Sequence, residues 1–279
     1  MSNTLYMYMR KRKAGMVGVS LLCLILLLAI LAPFVAPYDP GRIDPSDRLQ
    51  APTSKYFFGT DRFGRDIFSR VLYGARLSLL TGACIAFLSA TLGVFIGSAS
   101  AYFPAVGSFL MRGTDALMAF PEIIMALALM AITGGGSLSN VIIALGVVYA
   151  PRMARTAYGL SLSIREFTYI EATRAIGSGH FRILLRHLIP NLVSPIIVQS
   201  TFTCALAILG AAALDFLGVG VPPDIPSWGA MVSEGRIYIT IAPWVIVFPG
   251  IAVILLVLAL NLVGDTLRDA LDPRLRKLT

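Results

Sequence analysis

Long uncharged apolar runs alternate with short polar segments along almost the whole chain. An α-helix of about 20 apolar residues crosses a hydrocarbon core of about 30 Å, and each run approaches or exceeds that length. The pattern therefore predicts an all-α, polytopic membrane protein with six transmembrane helices. The predicted spans are residues 14–36, 77–103, 116–133, 138–153, 192–214 and 239–263.

Small residues in the second span and a helix breaker in the third add detail to this prediction. The second span carries a small residue at every fourth position, at Ser89, Gly93, Gly97 and Ala101. This period lets another helix approach closely, and we interpret it as packing within this chain. Pro121-Glu122 interrupts the third span, because proline breaks the helical hydrogen-bond ladder.

Composition excludes a water-soluble domain and indicates no cofactor site. The 279 residues are 57% hydrophobic and only 14% charged, which is too little charge for a soluble protein of this size. The net charge of +8 comes from basic residues that flank the apolar runs, as in membrane proteins, so nucleic acid is not a predicted partner. The three cysteines lie in separate runs, and neither a disulfide framework nor a metal site is predicted.

The positions of Lys and Arg predict the orientation of the spans. The first run is longer than the apolar part of a secretory signal peptide, typically about 7–15 residues, so we interpret it as a retained span. Six spans place both termini on one side, and the positive-inside rule places that side in the cytoplasm. The tails 1–13 and 264–279 are then cytoplasmic, and the loop 37–76 is extracytoplasmic. In the fourth span, the basic residues Arg152 and Arg155 are expected to reach the lipid headgroups.

The loop 37–76 ends in a segment with a two-faced helical pattern from about Arg65. Apolar residues gather on one face and polar residues on the other. The polar face is Asp66, Ser69, Arg70 and Tyr73. We predict a helix that lies in the membrane interface before the second span begins.

A polar island, Glu171–Pro190, lies between the fourth and fifth spans. Gly177-Ser178-Gly179 divides it into two short helical pieces, with Gly177 at a position that favours positive φ. Ser178 is the predicted N-cap of the second piece. Pro190 is the predicted stop and bend before the next span. The pattern fits a docking surface, and an ordinary solvated connection is the alternative.

The polar island resembles the "EAA loop" of membrane subunits of ABC importers. That pattern is Glu-Ala-Ala, three residues, Gly, and then a segment that ends in Leu-Pro. Glu171, Ala172, Gly177 and Pro190 match it, whereas Thr173 replaces the second Ala and Ile189 replaces Leu. Three further parts of the chain resemble the C-type subunit of the peptide/nickel permease branch. They are GTDRFGRDIFSR with GARLSL, FLGVGVPP with SWGAM, and NLVGDTLRDALDPR.

The resemblance implies a type I ABC importer permease in a bacterial inner membrane, with its core at residues 77–263. It also implies a second homologous permease, two cytoplasmic ATPases and an extracytoplasmic solute-binding protein. The loop 165–190 would then hold the ATPase-coupling residues Glu171, Ala172, Thr173, Arg174, Gly177, Ile189 and Pro190. No lysine follows a glycine, so a P-loop is absent from this chain. We therefore expect a non-enzymatic subunit whose partners bind ATP and Mg²⁺.

The substrate and the energy source leave alternatives open. Nickel favours imidazole or thiolate ligands, and no span or outer segment holds a histidine. Polar residues such as Gln199 and Thr203 fit a pathway for short peptides better, and both are candidate pathway-lining residues. Nickel or another small solute is the alternative. An ATP-independent secondary transporter is a further class, for which Glu122 and Asp215 are the candidate ion sites. We expect Glu122 to be structural, facing protein and either hydrogen-bonded or partly protonated, rather than part of a proton relay.

Overall fold

The computed structural model describes residues 13–222 and 224–271. Its helices are α1 Lys13–Val35, α2 Ile67–Tyr102, α3 Pro104–Met118, α4 Glu122–Thr133, α5 Leu138–Arg165, α6 Thr168–Ala175, α7 His180–Ile183, α8 Ile189–Phe216, α9 Trp228–Gly235 and α10 Trp244–Leu271. A π-helical turn, Leu184–Leu188, joins α7 to α8. The described residues form no β-strand, only an isolated bridge between Thr60 and Asp66. The predicted all-α class is therefore confirmed.

Four helices of the described chain are long and apolar enough to cross a membrane. They are Lys13–Val35, Ile67–Tyr102, His180–Phe216 and Trp244–Leu271. The bent pair of α3 and α4 adds a fifth if it counts as one span. The predicted fourth span lies in α5, whose 28 residues are long enough to cross but carry three arginines. The last helix continues to Leu271, so the predicted boundary at residue 263 is not a helix end, and residues 1–12 and 272–279 of the predicted tails lie outside the described residues.

The close approach of α2 to α5 forms the centre of the bundle. A Cβ built on Gly93 would lie 2.7 Å from the Ala154 amide nitrogen, and one built on Gly97 would lie 2.8 Å from the Ala157 Cβ. Neither glycine can be enlarged without moving the neighbouring helix. The interpretation of the small-residue repeat as internal packing is thus confirmed. Around this pair, α8 packs on α2, and α10 packs on α1 and α8.

The predicted interface helix is wrong. Residues 67–102 form one continuous helix, whose N-terminus is capped by the Asp66 carboxylate, 2.8 Å from the Ser69 amide. The supposed polar face is buried, since Ser69 is 0% and Arg70 is 1% exposed. The preceding loop covers that face: the Arg70 guanidinium donates to the Pro40 carbonyl at 3.2 Å. Burial by a distant segment, rather than contact with the membrane surface, explains the two-faced pattern.

A buried cluster of charges joins this loop to α9. Arg65 lies 2.5 Å from Asp61 and 2.9 Å from Glu234, and these three side chains are at most 8% exposed. Arg62 also contacts Glu234, at 3.0 Å. Burial raises the pKa of Glu234, and the nearby Asp61 carboxylate adds to the rise. Four charged side chains from two sequence-distant segments therefore fix the loop 37–66 onto the helical bundle.

The third predicted span is a bent pair of helices. Its axis turns by 99° between α3 and α4, at the predicted interruption, where Pro121 is the N-cap residue of α4. The helical segment also begins earlier than predicted, at Pro104 rather than Ala116. The predicted interruption is therefore confirmed, but the predicted first residue of the span, 116, is not a helix start. At its far end α4 stops at Gly134, whose φ of 85° needs a residue without a Cβ.

Arg65→Gln tests the buried charge cluster. The change leaves the carboxylates of Asp61 and Glu234 without their shared partner, so we expect the free energy of unfolding to fall by about 3–5 kcal/mol. Lys55→Gln is the matched control in the same loop, because its pair with Asp47 leaves the Lys55 side chain 57% exposed and should contribute about 0–1 kcal/mol. Thermal unfolding in detergent compares the two variants. Equal stabilities would contradict a structural role for the cluster.

Candidate functional site

The loop 165–190 contains the two short helical pieces that the sequence predicts. The first piece, α6, ends where Gly177 adopts a φ of 80°, which confirms the predicted glycine position. The next amide, that of Ser178, donates to the Thr173 carbonyl at 3.2 Å and closes the end of α6. Ser178 is not the N-cap of α7, however. That position belongs to Gly179, and no side chain caps the helix, so the predicted Ser178 cap is wrong.

Pro190 does not stop or bend the second piece. α7, the π turn and α8 form one continuous helical rod from His180 to Phe216. In an α-helix a proline ring clashes with the carbonyl four residues earlier. Here the Ile189 amide donates to the Leu184 carbonyl, five residues back, and the wider π turn makes room for the ring. The predicted stop at Pro190 is therefore wrong.

Buried apolar side chains hold the two short helices against the ends of α2 and α5. Ile170 of α6 and Ile183 of α7 are both 0% exposed. They share one cluster with Tyr102 at the end of α2, Ile164 at the end of α5 and Leu188 in the π turn. The loop is consequently packed onto the bundle by its own small core, which a freely solvated connection would not need.

Polar contacts to the end of α2 add to this packing. The Tyr102 hydroxyl lies 2.9 Å from the His180 Nδ1, and the Arg174 guanidinium carbon lies 5.3 Å from the centroid of the Tyr102 ring. The Arg165 guanidinium donates to the Ala101 carbonyl at 2.8 Å. Sequence reasoning missed Tyr102, because 78 residues separate it from His180 and no local pattern marks it. This contact site, Tyr102 with Arg174 and His180, joins both short helices to the central helix.

An exposed tip lies at the turn between the two short helices. It consists of Ile176, which is 80% exposed, Gly177, and Phe181, which is 77% exposed. Nothing in the described chain lies within 4 Å of a Cβ built on Gly177, so a close approach there requires another molecule. Arg182 and Arg186 are exposed nearby. Large apolar side chains exposed among polar ones are typical of a protein interaction surface.

The remaining residues of the matched pattern lie mostly on the outside of the loop. Glu171 is exposed, and it takes part in none of the ion pairs found among the described residues. The Thr173 hydroxyl donates to the Tyr169 carbonyl at 2.7 Å, within α6. Ala172 is exposed and Ile189 is half-buried. The Glu171 carboxylate is therefore open to a partner outside the described residues.

The two candidate pathway-lining residues have different surroundings. Gln199 lines an open cavity of about 450 Å³ between α5, α8 and α10, together with Thr156, Ser194 and Arg268. Thr203, one turn further along α8, is only 2% exposed. In this structure Gln199 can meet a solute, whereas Thr203 presents almost no surface to one.

Glu122 pairs with an arginine of the neighbouring helix. Its carboxylate accepts a hydrogen bond from Arg152 of α5 at 2.5 Å, so the expected hydrogen bond is confirmed. The side chains are 40% and 42% exposed, so Glu122 does not face protein alone. Arg155 pairs in the same way with Asp115 of α3. Both guanidiniums therefore contact carboxylates of the bent pair, and the expected contact with lipid headgroups stays a prediction.

Asp215, the other candidate ion site, holds the loop that follows α8. Its Oδ1 accepts from the Val221 amide at 2.7 Å, and its Oδ2 accepts from the Ser227 hydroxyl at 2.9 Å. A Cβ built on Gly229 would lie 2.6 Å from the Ala212 Cα, so the loop backbone also packs closely here. These contacts attach Val221 of the FLGVGVPP motif and Ser227 and Gly229 of the SWGAM motif to the end of α8.

The comparisons with known proteins agree with this architecture. The chain has the fold of a subunit of the methionine ABC transporter MetNI in inward-facing conformations, with a TM-score of 0.60 at 20% identity over 74% of this chain and 98% of that one. It is 46% identical to a Brucella suis protein whose name describes a peptide transport system permease, over 95% of this chain and 90% of the relative. It is 41% identical to a dipeptide transport system permease protein of Alkalihalophilus pseudofirmus, and 42% to a glutathione transport system permease protein of Escherichia coli, each over 96% of this chain and 88% of the relative.

Two family descriptions match the chain in order. Residues 6–52 match the N-terminal transmembrane domain of oligopeptide transport permease C. Residues 74–277 match the binding-protein-dependent transport system inner membrane component. The second match spans most of the chain and includes the central pair of helices, the packed loop and the bent pair. The chain is therefore a multi-pass integral membrane protein that belongs to the family of binding-protein-dependent transport system inner membrane components.

Proposed function

We propose that this chain is the permease subunit of an ATP-driven importer of short peptides. The observation that carries the proposal is the identity of 41–46%, over 95–96% of the chain, to proteins named as peptide, dipeptide and glutathione permeases. Di- and oligopeptides are the substrate class common to those names. A solute-binding protein delivers the peptide and sets most of the selectivity.

The complete importer contains further subunits. A second homologous permease pairs with this chain, and two cytoplasmic ATPases bind ATP and Mg²⁺ and carry out the hydrolysis. The complex lies in the bacterial cytoplasmic membrane, with both termini of this chain in the cytoplasm, as the distribution of Lys and Arg supports. This chain supplies transmembrane helices and a docking loop, and it catalyses no reaction of its own.

The loop 165–190 couples the ATPases to the transmembrane helices. The exposed tip, with Ile176 and Phe181, docks into a groove on an ATPase, and Arg174, Arg182 and Arg186 surround it. Movement of that groove reaches α2 through Tyr102, and reaches α8 through the uninterrupted rod that begins at His180. The free energy of ATP binding then acts as a difference in contacts between inward-open and outward-open states.

Gly177→Val tests coupling at the exposed tip. A β-branched residue at a φ of 80° is strained by about 1–2 kcal/mol or more, so we expect the turn to be displaced and peptide uptake to fall about tenfold with the complex still assembled. Gly250→Val is the matched control, because a Cβ there also meets no atom within 4 Å but the backbone has no positive φ. Uptake and binding-protein-stimulated ATPase activity are measured in proteoliposomes. Wild-type coupling in Gly177→Val would remove the tip from the mechanism.

The Tyr102 contacts predict a graded loss of coupling. Tyr102→Phe removes the hydrogen bond to His180 but keeps the ring under the Arg174 guanidinium, whereas Tyr102→Leu removes both contacts. We expect the fraction of ATP hydrolysis that yields transport to fall about twofold in the first variant and about tenfold in the second, since each contact contributes about 0.5–1 kcal/mol. An equal ratio of uptake to hydrolysis in all three proteins would show that Tyr102 is not on the coupling route.

Deletion of the gene tests the substrate class. Uptake of labelled di- to oligopeptides should fall in the deletion strain and return with a plasmid copy of the gene. Nickel uptake is measured in the same strains. A loss of nickel uptake alone would contradict the peptide assignment, and peptide uptake that continues after ATP depletion would favour a secondary transporter.

A further inference from the structure

A polar strip runs along the second half of α5, after Pro151. Its residues recur every three or four positions, so they lie on one face of the helix. They are Arg152, Arg155, Thr156, Gly159 and Ser163, and all are half-buried or exposed. The opposite face is buried against the bundle, with Met153, Ala154 and Ala157 each 0% exposed. The strip therefore points away from the protein core.

Two ion pairs cross from this strip to the bent pair of helices. Arg152 reaches Glu122 at the start of α4, and Arg155 reaches Asp115 in α3. The four side chains are between 40% and 51% exposed, so each keeps part of its charged group open. The two guanidiniums of the strip and the two carboxylates of the bent pair are therefore all partly open to a passing solute.

Open cavities lie on both sides of the strip. One, of about 450 Å³, is reached by Thr156 and also lined by Gln199 and Arg268. The other, of about 350 Å³, is reached by Arg155 and also lined by Ser100 and Arg112. The Ser100 hydroxyl is buried and has no hydrogen-bond partner among the described residues. The strip therefore has an open cavity with polar side chains on each of its two sides.

The strip differs from the exposed surface of the other long helices. Exposed side chains there are large and apolar, as at Phe87 and Phe95 of α2, Ile132 of α4 and Ile254 of α10. Such surfaces suit contact with lipid tails. Charged side chains within a membrane normally face a bundle interior or a water-filled cavity, because lipid tails cannot solvate them. The strip therefore faces water or protein.

We propose that this strip is the wall that the chain contributes to the translocation pathway, and that its two ion pairs bind the charged groups of the passing peptide. This inference rests on the proposed function and adds the contact residues. Arg152 and Arg155 receive carboxylates of the peptide, and Glu122 and Asp115 receive its ammonium groups. Gln199 and Thr156 supply neutral hydrogen bonds beside them.

Exchange of ion-pair partners explains how many different peptides could move along this surface. A peptide carboxylate that contacts Arg152 replaces the Glu122 carboxylate, while the freed Glu122 can accept the peptide's ammonium group. One half-exposed pair is exchanged for two similar ones, so the net attraction stays small. Weak binding at several successive positions lets a solute enter and also leave.

Selectivity for peptide charge tests this role. Proteoliposomes with the complete importer and its binding protein take up labelled alanyl-alanyl-alanine and its analogues with glutamate or lysine in the middle. In Arg152→Gln and Arg155→Gln, we expect uptake of the glutamate peptide relative to the lysine peptide to fall about fivefold from the wild-type ratio. In Glu122→Gln and Asp115→Asn, the same ratio should rise. The uptake ratio of each variant is divided by the wild-type ratio, which cancels the preference of the binding protein for one peptide over the other.

Water accessibility is the second measurement. In a chain whose Cys23, Cys84 and Cys204 are replaced by Ala, a charged membrane-impermeant thiol reagent should modify Arg155→Cys. The modification rate should fall at least about threefold while the peptide is being transported. Phe87→Cys, which is 75% exposed at an apolar surface, should stay unmodified in the intact membrane.

The outcomes separate this inference from the proposed function. If wild-type proteoliposomes import none of the peptides, the proposed function fails. If they import peptides but all four charge variants keep the wild-type ratio, the ion pairs do not contact the substrate. Equal losses for all peptides together with an unreactive Arg155→Cys would identify the strip as a permanent interface with the second permease, and would overturn the inference.

Discussion

Close packing between α2 and α5 is the constraint on which the other features depend. Gly93 and Gly97 let the two backbones meet where any side chain would separate them. Because α2 is fixed in this way, the charge cluster around Arg65 lies beside its first turn, and its last turn contacts the packed loop through Tyr102. Because α5 is fixed, its polar strip points outward. Dispersion contacts at a glycine-lined seam, rather than hydrogen bonds, therefore set the positions of the two ends of α2 and of the polar strip on α5.

Local signals in the sequence were sufficient for several elements of the fold. Apolar runs predicted the helices, the interruption at Pro121 predicted the break in the bent pair, and Gly177 predicted the turn in the loop 165–190. Each of these depends on residues within one or two helical turns. Two of the wrong predictions, the interface helix and the stop at Pro190, depend on contacts that a local pattern does not contain. A loop 30 residues away in sequence buries Arg70, and a π turn gives the proline ring room.

The candidate site was predictable in outline but not in its contacts. The loop 165–190 was recognisable from a motif, yet the hydrogen bond between Tyr102 and His180 that holds it joins residues 78 positions apart. The basic residues of α5 were visible in the sequence, but their carboxylate partners lie 30 and 40 positions earlier. The predicted span ended at residue 153, which placed both arginines near a helix end, but α5 continues to Arg165. Only the 99° bend of the preceding helices brings carboxylates to that face.

The unbroken length of α2 has a mechanical consequence. Its 36 residues form a rod of about 54 Å at about 1.5 Å per residue. Gly93 and Gly97 lie about three quarters of the way along α2, so a tilt of about 10° around this seam would move the first end of the rod by about 7 Å and the last end by about 2 Å, in opposite directions. A lever of this kind needs no signal relayed from one side chain to the next. Displacement on the outer side of the membrane and displacement on the inner side would be two ends of one rigid-body motion, with the glycine seam as its fulcrum.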